Sequence, residues 1–154
     1  MSIQLVELKP KPSRSDSMGE IRVKVKITNS MDEMRLRRGE IKLSEVRTYE
    51  ADAMVDTGAV RSVIPAHVKQ QLGVLDRGHR VAEYADGRTE SVEITEPIIF
   101  DIAGRDTLEE ALVLGDEVLI GQTVLEKLDL LADCANHRLI PNPAHPDQPV
   151  SKVK

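Results

Sequence analysis

The stretch Ala53-Met54-Val55-Asp56-Thr57-Gly58-Ala59 decides how this chain is interpreted, because it places an aspartate directly after an apolar segment. Residues 51–55 have the character of a short strand interrupted by Asp52, and residues 60–64 predict a second strand. A carboxylate at the end of a buried strand is costly unless it has a function there. Asp, Thr and Gly are also common turn residues, so the triplet alone favours a surface turn.

The β pattern extends on both sides of this stretch. Residues 21–28 alternate apolar side chains with Arg, Lys and Thr, which predicts a half-buried strand. Asp86-Gly87 lies between two runs within residues 80–95 and predicts a hairpin, because Asp and Gly tolerate the positive φ of tight hairpin turns. Further strands are predicted at 97–103, 111–114, 118–121, 130–133 and 137–140, the last two as a pair.

Two short helices and one charged segment complete the pattern. Pro65 near the first helical position and Gly73 just past the last predict a helix over 65–73. Apolar spacing predicts a second helix at 122–128. Residues 32–50 are highly charged, and apolar residues alternate with polar ones on either side of Gly39. This pattern predicts a solvated hairpin. The predicted fold class is all-β with two brief helices.

Charge and composition exclude several classes of partner and compartment. The net charge of -5 and the pI near 5.4 argue against a nucleic-acid partner. No segment approaches the roughly 20 apolar residues that a membrane helix needs, so no membrane partner is expected. Cys134 is the only cysteine, which excludes an intrachain disulfide and fits a reducing compartment. These features predict a cytoplasmic protein.

The chain divides into one domain and two ends. Residues 1–19 end in a stretch of Pro, Ser and charged residues and predict a flexible N-terminal arm. Residues 20–142 form the domain, and residues 143–154 predict a flexible C-terminal tail because prolines are frequent there. The four histidines show no metal-ligand spacing, so no metal is expected.

Three motifs in order resemble the retropepsin-like aspartic proteases, the single-lobe family of the retroviral proteases. They are Val55-Asp56-Thr57-Gly58-Ala59, the hairpin around Asp86-Gly87, and Leu119-Ile120-Gly121 opening a helix. The stretch from Ile120 to Leu128 and the hairpin after it are similar to the bacterial members. The resemblance covers residues 20–142 and implies a closed β-barrel or sandwich lobe with one or two short helices, completed as a homodimer.

Two features depart from the pattern of the viral enzymes. The segment 31–50 is longer and more charged than the part that precedes their catalytic strand. The flap also lacks their glycine-rich tip, with Tyr84-Ala85-Asp86-Gly87-Arg88 in its place. Both departures bear on the substrate pocket and on flap movement more than on the chemistry.

The resemblance implies an aspartic endopeptidase that needs no cofactor. The chain has a single Asp-Thr-Gly, so a homodimer would bring Asp56 of each copy together on a two-fold axis. The two carboxylates would share one proton, activate a water and protonate the leaving amine. Thr57 would hydrogen-bond across the axis, and Gly58 would let the backbone approach the carboxylates.

A polypeptide substrate would lie extended between the site floor and the flaps, bonded like an extra strand. Apolar pockets would set specificity, with Val81 among the candidate lining residues. The expected substrate-binding residues are Ala59, Tyr84, Ala85, Asp86, Gly87, Ile120 and Gly121.

Two other hypotheses remain open on the sequence. One is a dimeric peptide-binding or scaffold module of the same fold with little or no turnover, for which Asp56→Asn would leave partner binding intact. The other is a small β-barrel in which Asp56-Thr57-Gly58 is only a turn, and it predicts a monomer in solution.

Overall fold

A computed structural model describes residues 2–4 and 20–153 of the 154-residue chain. The strands are β1 Ser2–Gln4, β2 Arg22–Asn29, β3 Thr48–Val55, β4 Ser62–Ile64, β5 Asp76–Glu83, β6 Thr89–Thr95, β7 Ile98–Ile102, β8 Arg105–Glu109, β9 Ala111–Val113, β10 Leu119–Ile120, β11 Leu130–Asp133 and β12 Arg138–Pro141. The helices are α1 Ser30–Arg37, α2 Ala66–Leu72 and α3 Gln122–Leu128, with a 3-10 turn at Leu43–Glu45.

The described strands form an open sheet and a separate pair. Ten strands hydrogen-bond in the order β1-β5-β6-β9-β4-β10-β3-β2-β7-β8, and β11 pairs with β12. The mostly-β class is therefore confirmed. The closed barrel is not found among the described strands, because β1 and β8 are the two ends of the sheet and do not pair with each other.

The central strands β4 and β10 are buried on both faces. Val63 and Leu119 pack into an apolar cluster with residues of β5, β6 and β9. The adjacent Ile64 and Ile120 point the other way, into a larger cluster with β2, β3, β7, α2 and α3. Successive side chains of a strand face opposite sides, so two short apolar strands join both halves of the core.

The hairpin predicted at 32–50 is wrong, because α1 occupies its first part. Asn29 ends β2 and caps α1, its side-chain oxygen accepting a hydrogen bond of 2.9 Å from the backbone N–H of Asp32. Asp32 accepts three more bonds from Arg47, one from its backbone and two from its guanidinium, at 2.8 to 3.0 Å. These contacts fix the charged segment as a helix packed before β3.

Most other predicted elements are confirmed. They include α2 with Gly73 in the left-handed region after it, α3, the hairpin of β5 and β6, and the pair of β11 and β12. The strand β8 was missed. Its inward positions hold Arg105 and Glu109, each only 8% exposed, so polar residues hide the alternation by which a strand is recognised.

Both chain ends contact the domain where they are described. Residues 5–19, most of the predicted N-terminal arm, lie outside the described residues, and β1 pairs in parallel with β5. In the predicted C-terminal tail, the Asp129 carboxylate meets the His145 imidazole at 2.6 Å and accepts the backbone N–H of Val150 at 3.1 Å. No helix within 20–153 is long and apolar enough to cross a membrane.

Asp32 makes stability depend on pH. The hydrogen bonds from Arg47 lower the pKa of Asp32 below its ordinary value of 3.8, although burial opposes the shift. A depressed folded-state pKa gives stability that is present above the ordinary value and is lost as pH falls through the lowered one. We expect Asp32→Asn to lower the free energy of unfolding at pH 7 by about 2 kcal/mol and to flatten its dependence on acid.

The measurement is urea unfolding between pH 7 and pH 2, with Glu33→Gln as the control. Glu33 pairs with Arg37 at 3.6 Å on the exposed face of α1, so its loss should change the unfolding free energy by less than about 0.5 kcal/mol. Equal effects of the two substitutions would contradict the assigned role of Asp32.

Candidate active site

The Asp56 loop connects β3 to β4, and β10 lies between these two strands. β10 pairs in parallel with β3 and antiparallel with β4. The backbone N–H of Asp56 donates to the Ile120 carbonyl at 2.9 Å, continuing the pairing by one residue beyond β3. The aspartate therefore leaves the sheet at a point fixed by a strand from a distant part of the sequence.

Two sets of hydrogen bonds hold the loop, one within the loop itself and one from the start of α3. Within it, the Gly58 N–H donates to the Asp56 carboxylate at 3.2 Å, and the Ala59 N–H donates to the Asp56 carbonyl at 3.1 Å. From below, the N–H of Gln122 donates to the Ala59 carbonyl at 2.7 Å. The hydroxyl and N–H of Thr123 both donate to the Val60 carbonyl. The first turn of α3 thus fixes the second half of the loop, whereas β10 fixes its beginning at Asp56.

The loop presents its polar residues outward. Asp56 is half-buried, Thr57 and Gly58 are exposed, and Ala59 is buried beneath them. Val60 is an exposed apolar residue in the same loop, with 55% of its surface accessible. A carboxylate held by backbone contacts, with an apolar neighbour at the surface, lies where another molecule can reach it.

Gly121 allows the close approach beneath the loop. A Cβ on this residue would lie 2.6 Å from the carbonyl carbon and oxygen of Arg61, inside any normal contact distance. The Gly121 N–H donates to the Ser62 hydroxyl at 2.9 Å, and Ser62 is fully buried. The glycine is needed for space, because its φ of -91° is available to any residue.

The predicted flap is the turn between β5 and β6, and it is tied together by its own side chains. The Asp86 carboxylate accepts bonds from the backbone and guanidinium of Arg88, and that guanidinium lies 4.5 Å from the centre of the Tyr84 ring. The Tyr84 hydroxyl donates to Glu90 at 3.1 Å. Burial and this bond raise the pKa of Tyr84, whereas the backbone bond from Arg88 lowers the pKa of Asp86.

The structure separates the predicted substrate-binding residues into two groups. Ala85, Asp86 and Gly87 are exposed at the flap turn. Ala59, Tyr84, Ile120 and Gly121 are buried within the chain, and Ile120 belongs to the larger apolar cluster. The second group therefore shapes the site from beneath in this conformation, and contact with a substrate stays a prediction for all seven.

Sequence reasoning missed the polar side chains around the loop. Arg61 pairs with Glu110 at 3.1 Å and lies 3.9 Å from Glu109, which also meets the Lys127 ammonium at 2.6 Å. Hydroxyls such as those of Ser62 and Thr123 carry no signal in a single sequence, because only the fold brings them beside the loop. Arg61 is likewise far in sequence from Glu109 and Glu110, the two acids that it approaches.

A cavity of about 400 Å³ lies near this cluster, and its lining differs from the expected apolar pocket. Val81 is one of its lining residues, and a role in substrate specificity stays a prediction. The other lining residues are basic or carry a hydroxyl: Arg61, His79, Arg80 and Ser91. Within residues 20–153 there is no group of three His, Cys, Asp or Glu side chains that could hold a metal ion.

Comparison with protein-family models found no match, and comparison with curated proteins found none either. Among solved structures, the chain is similar to the solution structure of Simian Foamy Virus (mac) protease. The identity is 14%, the match covers 68% of this chain and 90% of that chain, and the TM-score is 0.43. A similarity this low does not establish a family or an activity.

Gly121→Ala tests the close approach under the loop. The added methyl must push away the backbone at Arg61, so we expect a loss of about 3 kcal/mol in the free energy of unfolding. Gly39→Ala is the control, because its Cβ would meet nothing within 4 Å and only its φ of +77° makes it costly, by about 1 kcal/mol. Chemical denaturation measures both, and a Gly121→Ala loss no larger than the control would contradict the assignment.

Proposed function

We propose that this chain is a homodimeric aspartic endopeptidase of the retropepsin-like type, similar to the bacterial members and acting in the cytoplasm. The observation that carries the proposal is the Asp56 loop. Asp56 is half-buried just after β3, its backbone N–H donates to the Ile120 carbonyl, and its carboxylate accepts the Gly58 N–H. A surface turn needs no strand inserted behind it, so this support favours a catalytic carboxylate over a simple turn.

The proposed reaction uses two Asp56 carboxylates, one from each copy. Held about 3 Å apart, they share a proton, because two carboxyl groups so close together cannot both lose their protons easily. The ionised carboxylate removes a proton from a water as it attacks the scissile carbonyl. The protonated carboxylate hydrogen-bonds to the carbonyl oxygen, and a proton then passes to the leaving amine. A single chain supplies only half of this arrangement.

Exposure of the loop supports pairing of two copies. Thr57 and Gly58 are exposed, and Val60 leaves a large apolar side chain in water unless something covers it. In the dimer, Thr57 would hydrogen-bond across the axis while Val60 becomes buried. Among the described strands the sheet ends at β1 and β8, and open edges of this kind also gain from a partner.

The substrate would be an extended polypeptide lying over the loop and beneath the β5–β6 turn. Ala85, Asp86 and Gly87 are exposed there and supply backbone groups for strand-like hydrogen bonds. Gly87 has a φ of +88°, which shapes the turn without a side chain in the way.

A second candidate is a dimeric peptide-binding module with little turnover. The contacts of Arg88 with Asp86 and Tyr84 favour it, because they stabilise one conformation of the flap turn. The two candidates differ in what Asp56 does. Binding without hydrolysis would survive removal of its negative charge, and catalysis would not.

Asp56→Asn should reduce peptide hydrolysis between pH 4 and pH 7 by at least about a thousandfold, because the water then loses its general base. The measurement is cleavage of a fluorogenic peptide library. Asp52→Asn is the matched control, since Asp52 is an exposed carboxylate on the same strand and should leave the rate unchanged. Equal rates for wild type and Asp56→Asn would end the proposal.

Mixing tests whether each site contains two chains. Adding an equal amount of Asp56→Asn protein to a fixed amount of wild type, with full exchange of subunits, should lower the measured rate to about half, because mixed dimers are inactive. Adding Asp52→Asn protein instead should raise the rate. If the Asp56→Asn protein left the wild-type rate unchanged, the active species would be a monomer.

A further inference from the structure

The cavity of about 400 Å³ lies between the strands of the β5–β6 hairpin and the segment that leaves the Asp56 loop. The strand β5 contributes His79, Arg80 and Val81 to its wall, and β6 contributes Ser91. The remaining lining residue, Arg61, comes two positions after Ala59 and directly before β4. A polypeptide lying under the flap would therefore pass this cavity.

The charges beside Arg61 largely cancel one another. Arg61 and Lys127 supply two positive charges, and Glu109 and Glu110 supply two negative ones, all within one set of ion pairs. Burial alone would raise the pKa of Glu110, but the hydrogen bond from Arg61 lowers it below its ordinary value, so this carboxylate stays ionised near neutral pH. This cluster leaves little net charge for a ligand.

Arg80 adds a positive charge that no ion pair offsets within the part of the chain that the structure describes. Its guanidinium donates to the His79 carbonyl at 2.9 Å, and no carboxylate pairs with it among the described residues. The nearby acids of the hairpin have other contacts, since Glu93 pairs with Lys69 at 2.9 Å and Glu90 accepts the Tyr84 hydroxyl. A guanidinium has five N–H donors in a planar fork, so Arg80 retains donors for an anionic ligand.

We propose that this cavity binds a carboxylate of the polypeptide substrate, with Arg80 as the principal donor and the Ser91 hydroxyl beside it. The proposal rests on the proposed endopeptidase function and gives it a substrate class: peptides with Asp or Glu near the scissile bond. The volume lies within the roughly 300–1,000 Å³ range of ligand pockets, so an acidic side chain fits. A guanidinium prefers planar carboxylates, because it bonds both oxygens at once.

Matched peptides test the proposal. Two peptides that differ only in Glu or Gln at one position, with both ends blocked, are compared by kcat/KM, and the position is varied along the peptide. At one position the wild type should prefer Glu by about tenfold or more, the effect of a hydrogen-bonded charge pair. Arg80→Gln should bring this ratio close to one, whereas Arg77→Gln should preserve it. Arg77 is on the same strand, is exposed and pairs with Glu96 at 3.3 Å.

Several outcomes are decisive. A wild type without preference at any position, or a preference that persists in folded Arg80→Gln protein, overturns the proposal. A third peptide set compares a free with an amidated C-terminus, and a preference for the free C-terminus without one for an internal Glu also overturns the proposal, because it assigns the carboxylate to the chain end. Thermal unfolding of each variant shows whether it is folded, and Arg80→Met, which is also uncharged, replaces Arg80→Gln if the latter is not.

A binding measurement separates this inference from the endopeptidase proposal. Fluorescence anisotropy with labelled Glu and Gln peptides is performed on Asp56→Asn protein, which needs no turnover. Tighter binding of the Glu peptide that is lost in the Asp56→Asn, Arg80→Gln double variant supports the carboxylate site even if the wild type cleaves nothing. Equal binding of both peptides contradicts the site even if the wild type is an active protease.

Discussion

The insertion of β10 between β3 and β4 is the constraint on which the rest of the structure depends. It puts the Ile120 carbonyl 2.9 Å from the Asp56 N–H and the Gly121 backbone against Arg61. Residues sixty or more positions apart in sequence therefore determine where one carboxylate stands. Removing this contact would leave Asp56 in an ordinary connection between two short strands.

The same insertion explains how an aromatic-poor chain forms its core. Only Phe100, Tyr49 and Tyr84 are aromatic, so branched aliphatic residues must fill the interior. The strands β4 and β10 have two or three residues each, and their alternate side chains enter opposite apolar clusters. Because each short strand contributes to both clusters, a change in this region affects the whole sheet and the Asp56 loop together.

Much of this arrangement could be predicted from local patterns. Turn chemistry at Asp86-Gly87 and at Gly73 predicts the hairpin and the end of α2, because both glycines adopt a positive φ that few other residues tolerate. Long-range polar contacts were not predictable. The helix α1 depends on Arg47 reaching Asp32, and the cavity depends on Arg61 meeting the β5–β6 hairpin, and neither leaves a periodic signal. Contacts of the flap and the pocket with a substrate are also long-range and leave no such signal, so they remain predictions.

A crystal structure of the assembled protein would test the central claim most directly, through the distance between the Asp56 carboxylates of neighbouring copies. The account predicts a two-fold dimer with the two carboxylates about 3 Å apart, close enough to share a proton. A monomer, or a dimer that holds the two Asp56 side chains far apart, would contradict it.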